Sequence, residues 1–179
     1  MKKISFIIFT ILFLVTCQPT KTEQTITIEN KYSLTIPSFL TKVNNLNDDA
    51  SLQYQHAWKE FYVIVIDELK IELQTALEQN NMLEIYPNDI NGFSNLLLDG
   101  LEQAIPISSK SSIVDTTIHN LPAKLLTFKG RVEGIDSFYT LAIIEGRNRY
   151  YQIMTWTLPS KEYQYKEKMR EMIYTFKEL

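Results

Sequence analysis

Several short segments of the chain alternate apolar and polar residues, the period-two pattern of β-strands with one buried face. In the clearest of them, Leu52, Tyr54, His56 and Trp58 share one face of the predicted strand. The next apolar run, residues 61–66, is apolar on both faces, which predicts a buried central strand. Alternation and flanking turn residues predict six further strands: 25–29, 32–36, 107–118, 123–132, 135–145 and 149–158. The segment 107–118 is polar and is therefore predicted to be an edge strand.

Three other segments show the 3.6-residue period of amphipathic helices. The first covers residues 69–77. The second begins after Asp89, whose side chain is placed to cap it, and ends before Pro106. The third opens at Ser160, the predicted N-cap, and its apolar stripe consists of Tyr165, Met169, Met172, Ile173 and Phe176.

The order of these elements predicts the fold class. Strands come first, then two helices, then three or four strands joined by hairpin-length turns, and finally one helix. Short turns imply antiparallel pairing, and helices segregated from strands imply α+β layers. We therefore expect an α+β domain with an antiparallel sheet of about six to seven strands, a helix pair inserted between two meanders and a C-terminal helix.

The first 16 residues read as a signal peptide. Lys2 and Lys3 precede an apolar run, residues 4–15, of the length of a secretory h-region. The run is too short to cross a bilayer, which takes roughly 20 helical residues. Residues 14–17 (LVTC) resemble the lipobox of bacterial lipoproteins, a likeness that implies cleavage before Cys17 and a diacylglyceryl group on its thiol.

These features divide the chain into three parts. Residues 1–16 are the signal peptide, 17–24 the lipidated cysteine and a polar tether, and 25–179 a single α+β domain. Two or three acyl chains would hold such a protein on its membrane durably. Because Cys17 is the only cysteine, the domain has no disulfide and depends on its core for stability.

The charge of the chain argues against nucleic acid as a partner. The sequence has 18 basic and 21 acidic side chains, and removal of the signal peptide takes away Lys2 and Lys3, which moves the net charge from −3 to near −5. An acidic domain is not drawn to phosphate backbones or to anionic headgroups. The lipid, not electrostatics, is therefore expected to make the membrane contact.

Four sequence segments, placed in this order of elements, resemble the PsbP-like fold. They are YSLTIP near the start, LPAKLLTFKG opening the second meander, YYQIMTWT as its last strand and YTFKEL at the end. The fold groups a photosystem accessory protein, a nuclear-import factor that binds the Ran GTPase, and many small bacterial lipoproteins. The resemblance covers the chain from about residue 25, and it implies a fold whose members mostly act as binding or assembly factors.

No segment carries a catalytic, metal-binding or nucleotide-binding motif. His56 and His119, the only histidines, lie far apart in the sequence, and no metal or cofactor is expected. Among acidic pairs, Asp67-Glu68 and Asp48-Asp49 leave a hydrolase with paired carboxylates as an outside alternative.

Aromatic residues give the remaining signal. Seven lie on or beside the predicted sheet: Tyr54, Trp58, Tyr62, Tyr139, Tyr150, Tyr151 and Trp156. Aromatics that line a groove could stack on a sugar, peptide or lipid, whereas sheet packing beneath helices is the alternative for each. The residues expected to line a ligand pocket are Tyr54, His56, Trp58, Tyr151 and Trp156.

The sequence thus predicts a lipid-anchored, non-enzymatic binding or assembly factor of the bacterial envelope with a protein partner. A small-molecule or glycan binder that uses the sheet aromatics is the alternative. Position 18 is Gln, not the Asp that resembles an inner-membrane retention signal. The periplasmic face of an outer membrane is therefore the expected location in a cell that has one.

Overall fold

The computed structural model describes residues 22–179, so the predicted signal peptide, Cys17 and residues 18–21 lie outside the described part. Within it, the chain forms β1 (Glu23–Ile28), β2 (Tyr32–Pro37), β3 (Thr41–Lys42), β4 (Ala50–His56), β5 (Phe61–Leu69), α1 (Lys70–Gln79), α2 (Ile90–Ala104), β6 (Ile107–Lys110), β7 (Val114–Ile118), β8 (Leu121–Val132), β9 (Ile135–Glu145), β10 (Arg149–Thr157), α3 (Glu162–Tyr174) and β11 (Lys177–Glu178).

The main sheet has eight strands in the order β3-β4-β5-β10-β9-β8-β6, with β7 also paired to β8. Every pairing is antiparallel. Strands β8 and β9 are joined by the two-residue turn Glu133-Gly134, whose φ angles of 51° and 82° suit a tight hairpin. The predicted α+β class with antiparallel strands is confirmed, although the sheet is wider than the six to seven strands expected.

The chain also forms a second sheet of three strands, in the order β1-β2-β11. The sequence pattern did not distinguish these strands from those of the main sheet. Strand β2 buries Tyr32, Leu34 and Ile36 completely. Strand β11 has only two residues, and a two-residue strand has no periodicity to read. It exists because Lys177 and Glu178 return beside Ser33 and Tyr32.

One face of the main sheet is completely covered, and we call it the closed face. Helix α3 and the second sheet pack on it, and the α3 stripe expected from the sequence lies inside the interface. The core here is formed mainly by Tyr32, Leu34, Ile36, Leu52, Phe61, Val63, Val65, Ala142, Ile144, Tyr151, Ile153, Met169, Ile173 and Phe176.

The opposite face is covered by the helix pair, and we call it the open face. Helix α2 buries Phe93 and Leu98, whereas α1 buries Leu77 alone. The predicted cap is confirmed, since the Asp89 side chain accepts hydrogen bonds at 2.8 Å from the backbone N–H groups of Asn91 and Gly92. The core beneath the pair contains Ile64, Phe93, Leu98, Leu126, Phe128, Tyr139, Leu141, Ile143, Tyr150 and Met154.

Two strand boundaries differ from those expected. Strand β4 ends at His56, and Trp58 lies in a short 3₁₀ turn, Ala57–Lys59, because Glu60 adopts a left-handed conformation with φ 52° that reverses the chain. Strand β5 continues to Leu69, paired with β10 along its whole length, so the first helix starts at Lys70.

Two further expectations about individual elements were wrong. Residues 107–118 form two strands, β6 and β7, which pair with different parts of β8. Ser160 does not cap the last helix: it lies in a second 3₁₀ turn, Pro159–Lys161, and α3 begins at Glu162 without a side-chain cap.

Candidate binding groove

A row of four aromatic side chains crosses the open face from β5 to β8. The pairing of the strands sets Tyr62 opposite Trp156, Trp156 opposite Tyr139, and Tyr139 opposite Phe128. The ring centroids are 5.1, 6.1 and 4.6 Å apart along this series. Cross-strand aromatic pairs of this kind stabilise a sheet and fix its register.

The orientation of these rings decides what the row presents to solvent. The Tyr62 and Trp156 planes differ by 6° and those of Phe128 and Tyr139 by 9°, so both pairs are stacked. The indole of Trp156 has Tyr62 on one side and Tyr139 on the other. Stacking on Tyr62 therefore uses one face of the indole, and the tilted Tyr139 ring lies on the other side.

A groove of about 470 Å³ lies over the exposed half of the row. Its lining is largely apolar, with Ile64, Ile66, Met154 and Leu101 among its side chains. A second cavity of about 520 Å³ runs between α1 and α2. Leu101 and Gln152 line both, and we call the two together the open-face groove: Leu46, Asn47, Glu60, Tyr62, Ile64, Ile66, Glu68, Glu72, Leu73, Ala76, Phe93, Leu96, Leu97, Gly100, Leu101, Ile105, Val132, Glu133, Ile135, Ser137, Tyr139, Gln152, Met154, Trp156, Thr157 and Leu158.

The groove exists because the helix pair does not reach across the sheet. The apolar alternation of β5 and β10 continues beyond the helices, which leaves Tyr62, Ile66 and Trp156 half-buried. One wall is a loop of residues 44–49, held by the buried Gln53 side chain, whose Oε1 accepts from the backbone N–H of Leu46 at 2.8 Å. The site is therefore a pre-formed, apolar concavity of the kind that binds ligands.

The charged groups at the groove are all acidic. Within the described residues its lining contains Glu60, Glu68, Glu72 and Glu133 but no lysine or arginine. Burial raises the pKa of Glu68, and the neighbouring carboxylates, Asp49 first, raise it further. A carboxylate crowded in this way favours a cation beside it.

Glu60 also marks the end of the aromatic row. The Tyr62 hydroxyl donates to its Oε2 at 2.8 Å. Burial, followed by this hydrogen bond and the negative charge, raises the pKa of Tyr62 to about 12. Tyr62 therefore stays a neutral donor at physiological pH and holds the carboxylate at the groove rim.

The five residues expected to line a pocket are not brought together. Trp156 lies in the open-face groove. Tyr151 points to the closed face, where its ring is 5.6 Å from that of Tyr32 and 4.8 Å from that of Phe176. Its hydroxyl lies 3.1 Å from the Glu178 carboxylate and 3.4 Å from the Lys31 carbonyl, so it is a core residue with a hydrogen-bonded tip.

The other three expected residues lie near the edge of the closed face. Tyr54 packs against its core, and the His56 ring meets Phe39 edge-on at 5.7 Å. His56 Nδ1 accepts from the backbone N–H of Lys59 at 3.1 Å, which caps the 3₁₀ turn. Trp58 follows in that turn and is 92% exposed, outside both cavities of the groove.

Sequence reasoning named Tyr62 and Tyr139 only in the wider aromatic set and left out Phe128. The sequence does contain enough information to predict the pair Phe128–Tyr139. The two-residue turn Glu133-Gly134 sets Val132 opposite Ile135, and counting back from there places Phe128 opposite Tyr139. The pair of Trp156 with Tyr62 could not be read in this way, since β5 and β10 are distant in sequence.

The two carboxylates of the pair Asp67-Glu68 do not face each other. Asp67 and Glu68 are consecutive on β5 and point to opposite faces of the sheet. Asp67 is buried between Lys31 and Arg149, at 2.9 and 2.5 Å. Asp48-Asp49 lies in an exposed turn. Among residues 22–179 no group of three or more histidines and carboxylates is arranged to hold a metal ion.

The architecture is shared with solved structures of very different sequence. Cyanobacterial PsbP (CyanoP) from Synechocystis is 10% identical, with a TM-score of 0.56 over 93% of this chain and 99% of that one. LpqN of Mycobacterium tuberculosis, involved in cell envelope biogenesis, is 8% identical, with a TM-score of 0.55 over 87% and 90%. PA94, a Pseudomonas aeruginosa protein of unknown function, is 14% identical, with a TM-score of 0.50 over 87% and 96%.

No protein family and no curated protein matches this sequence. The likeness to known proteins is therefore one of architecture. The match to CyanoP extends over nearly the whole of both chains. The chain has the PsbP-like fold.

Proposed function

We propose that this chain is a lipid-anchored, non-enzymatic accessory protein of the bacterial envelope, and that its open-face groove binds a segment of a partner protein rich in apolar and basic residues. The observation that carries the proposal is the lining of the groove. Aliphatic and aromatic side chains form its floor. Its charged side chains, among the described residues, are four glutamates, and it has no lysine or arginine.

This lining favours a peptide over the other ligands considered. Sugars stack on exposed aromatic faces, and one face of Trp156 is already stacked on Tyr62, with the Tyr139 ring on its other side. Fatty acids and anionic phospholipids carry net negative charge, which Glu60, Glu68, Glu72 and Glu133 repel. An apolar segment with Lys or Arg matches both the floor and the rim.

The envelope location is supported by two further features. The lipobox-like residues 14–17 supply an anchor point at Cys17. No helix within residues 22–179 has the length and apolarity to cross a bilayer, so a lipid is the attachment that the proposal requires. The shared architecture of LpqN, which is involved in cell envelope biogenesis, and of CyanoP is in keeping with an accessory role.

The test is a crosslinking pull-down of the tagged, full-length protein from native membranes. One variant, Leu101→Arg, places a long cation where the two cavities of the groove meet. The matched control is Ile71→Arg, which makes the same change at an exposed helical residue outside both cavities. We expect one dominant partner whose recovery falls about tenfold in Leu101→Arg, a loss of ~1.4 kcal/mol, and stays unchanged in Ile71→Arg.

Other outcomes would overturn parts of the proposal. A partner lost equally from both variants, or from neither, would place the contact outside the groove. No partner above background would favour the alternative of a small-molecule or glycan binder. Turnover of a substrate that Leu101→Arg abolishes would show an enzyme. Absence of acyl chains in the intact mass of the protein, or an unchanged membrane fraction in Cys17→Ser, would refute the anchor.

A further inference from the structure

Several elements of the fold converge at one end of the main sheet. Strands β4 and β10 finish there, β5 starts there, and the β8–β9 turn lies beside them because all these strands are antiparallel neighbours. The second 3₁₀ turn, Pro159–Lys161, follows β10 and leads into α3 at the same end. We call this surface the tether end: Thr22, residues 57–60, residues 132–135 and residues 158–163.

The described chain begins at this end. The carbonyl of Thr22 accepts a hydrogen bond from the Ser38 N–H at 3.0 Å, and the Gln24 side chain donates to the Leu40 carbonyl at 2.8 Å. Between Ser38 and Leu40, the ring of Phe39 lies 5.7 Å from that of His56, the residue that caps the turn containing Trp58. Thr22 is thus linked to the Trp58 turn through Ser38, Phe39 and His56, and it also lines a cavity with the second half of α3.

Exposed apolar side chains are concentrated at the tether end. Trp58 is 92% exposed, Tyr163 100%, Ile135 58% and Val132 41%. They are four of the ten large hydrophobic side chains that are exposed among residues 22–179. Lys161 links two of the turns by donating to the Trp58 carbonyl at 3.3 Å. A tryptophan this exposed buries apolar area only when something else covers it.

Chain length ties this surface to a membrane. Cys17 precedes Thr22 by five residues, and a fully extended chain spans at most ~3.6 Å per residue. A lipid on Cys17 therefore keeps Thr22 within about 18 Å of the bilayer surface. We infer that the tether end faces the bilayer and that Trp58, with Tyr163 beside it, inserts at the headgroup level. This inference rests on the proposed lipid anchor.

The chemistry of the tether end fits such a contact. Tryptophan and tyrosine are enriched at membrane–water interfaces, where an apolar ring and a polar tip are both satisfied. The charges at this end are mixed: its residues include Lys59 and Lys161 as well as Glu60, Glu133 and Glu162. Ring insertion rather than a basic patch therefore supplies the contact, and we expect little dependence on salt or on anionic lipid.

This orientation also determines where the open-face groove lies relative to the bilayer. Val132, Ile135 and Leu158 belong both to the tether end and to the lining of the groove. With Trp58 in the headgroups, the groove opens next to the bilayer surface. A partner segment bound there would be one that lies close to the membrane.

The test uses tryptophan fluorescence, because the chain has only two tryptophans. Trp156→Phe leaves Trp58 as the sole probe in the full, lipidated protein reconstituted into phosphatidylcholine vesicles. A matched control moves the probe to the opposite end of the main sheet, where β5 ends, by Ile71→Trp in a chain that also carries Trp58→Phe and Trp156→Phe. Lipids brominated near the headgroup quench only tryptophans that reach them.

We expect Trp58 emission to shift to the blue on reconstitution and to fall about twofold with brominated lipid, with no such change for the Ile71→Trp probe. Equal quenching of both probes, or none at Trp58, would overturn the orientation. The intact mass, measured on the same samples, reports the acyl chains separately. A lipidated but unquenched protein would thus refute the orientation alone, and an unlipidated one would refute the anchor together with it.

Discussion

The two faces of the main sheet differ in how completely they are covered. On the closed face, α3 and the second sheet leave Val63, Val65 and Ile153 without solvent contact. On the open face, the same strands carry Tyr62 and Trp156, which are only half-buried. The strands are apolar on both sides, so the coverage by other elements, not the composition of the strands, turns one face into core and the other into a binding surface.

The covering elements explain this difference. The apolar stripe of α3 is buried from Tyr165 to Ile173, and Phe176 closes the interface behind it. Helix α1 buries Leu77 alone, and α2 ends at Ala104. A short helix pair cannot span eight strands, which lie about 4.8 Å apart. The uncovered part of the sheet is the floor of the groove.

The largest expected effect tests the closed face. Phe176 is fully buried and stacks on Tyr32 at a centroid distance of 5.4 Å. Phe176→Ala should lower the free energy of unfolding by about 3–5 kcal/mol, since it leaves a cavity that the core cannot fill. Tyr62→Ala on the open face should cost only about 1–2 kcal/mol. Urea unfolding of both variants checks the contrast, and equal losses would show that the open face is core as well.

A buried charge between the two sheets gives the next effect. Asp67 lies between Lys31 and Arg149 and its side chain is 2% exposed. Burial alone would raise its pKa, but Ser51, Lys31 and Arg149 outweigh burial and lower the pKa below the ordinary 3.8. Asp67→Asn should cost about 2 kcal/mol at neutral pH, because two cations lose their partner.

The pH dependence of the Asp67→Asn effect follows from this lowered pKa. The stabilisation by ionised Asp67 is fully present above pH 3.8 and is lost as the pH falls through the lower pKa of the folded state. Urea midpoints of wild type and variant should therefore converge below that pH. Asp136→Asn, in the exposed pair with Arg131, is the matched control with a smaller effect. A constant difference at all pH values would contradict the assignment.

Two glycines of α2 sharpen the comparison within the open face. A Cβ on Gly92 would lie 1.8 Å from the Pro87 carbonyl oxygen, whereas a Cβ on Gly100 would meet no atom within 4 Å. Gly92→Ala should cost about 1–3 kcal/mol through the clash. Gly100→Ala should add about 0.5–1 kcal/mol through helix propensity. Thermal unfolding distinguishes them, and a destabilised Gly100→Ala would mean that α2 packs more closely at the groove than described.

The smallest effect concerns the rim of the groove. Burial and nearby carboxylates raise the pKa of Glu68 above its ordinary 4.5, so its ionised form is disfavoured in the folded state. Wild type should lose stability as the pH rises through this pKa, and Glu68→Gln should not. At neutral pH the variant should be more stable by a few tenths of a kcal/mol, because the group is partly solvated. Glu84→Gln, on an exposed loop, is the control, and a destabilised Glu68→Gln would mean that a cation already compensates the charge.

Much of the fold could be predicted from local patterns. The amphipathic stripes of α2 and α3, the Asp89 cap and the Glu133-Gly134 turn each depend on residues close in sequence. The 3₁₀ turn that holds Trp58 was missed because Glu60, two residues on, adopts a left-handed conformation that is uncommon for glutamate. Strand β11 was missed because it forms only beside the distant β2. Local residue propensities carry no information about such long-range contacts.

The candidate site shows the same division. Trp156 was expected to line a pocket and lies in the groove, while Tyr151, its near neighbour on β10, faces the closed core. Alternation places the two on opposite faces, but it does not say which face remains uncovered. That depends on where the helix pair packs and how far it reaches.

The sequence by itself determined the secondary structure of the long elements, the α+β class and the aromatic content of the sheet, because hydrophobic period and turn residues act over a few residues. Only the tertiary structure decided which strands are neighbours, which face is left open, and that Tyr62, Trp156, Tyr139 and Phe128 form one row. These depend on contacts between segments up to about a hundred residues apart, whose pairing is set by the packing of the whole domain and not by any one segment.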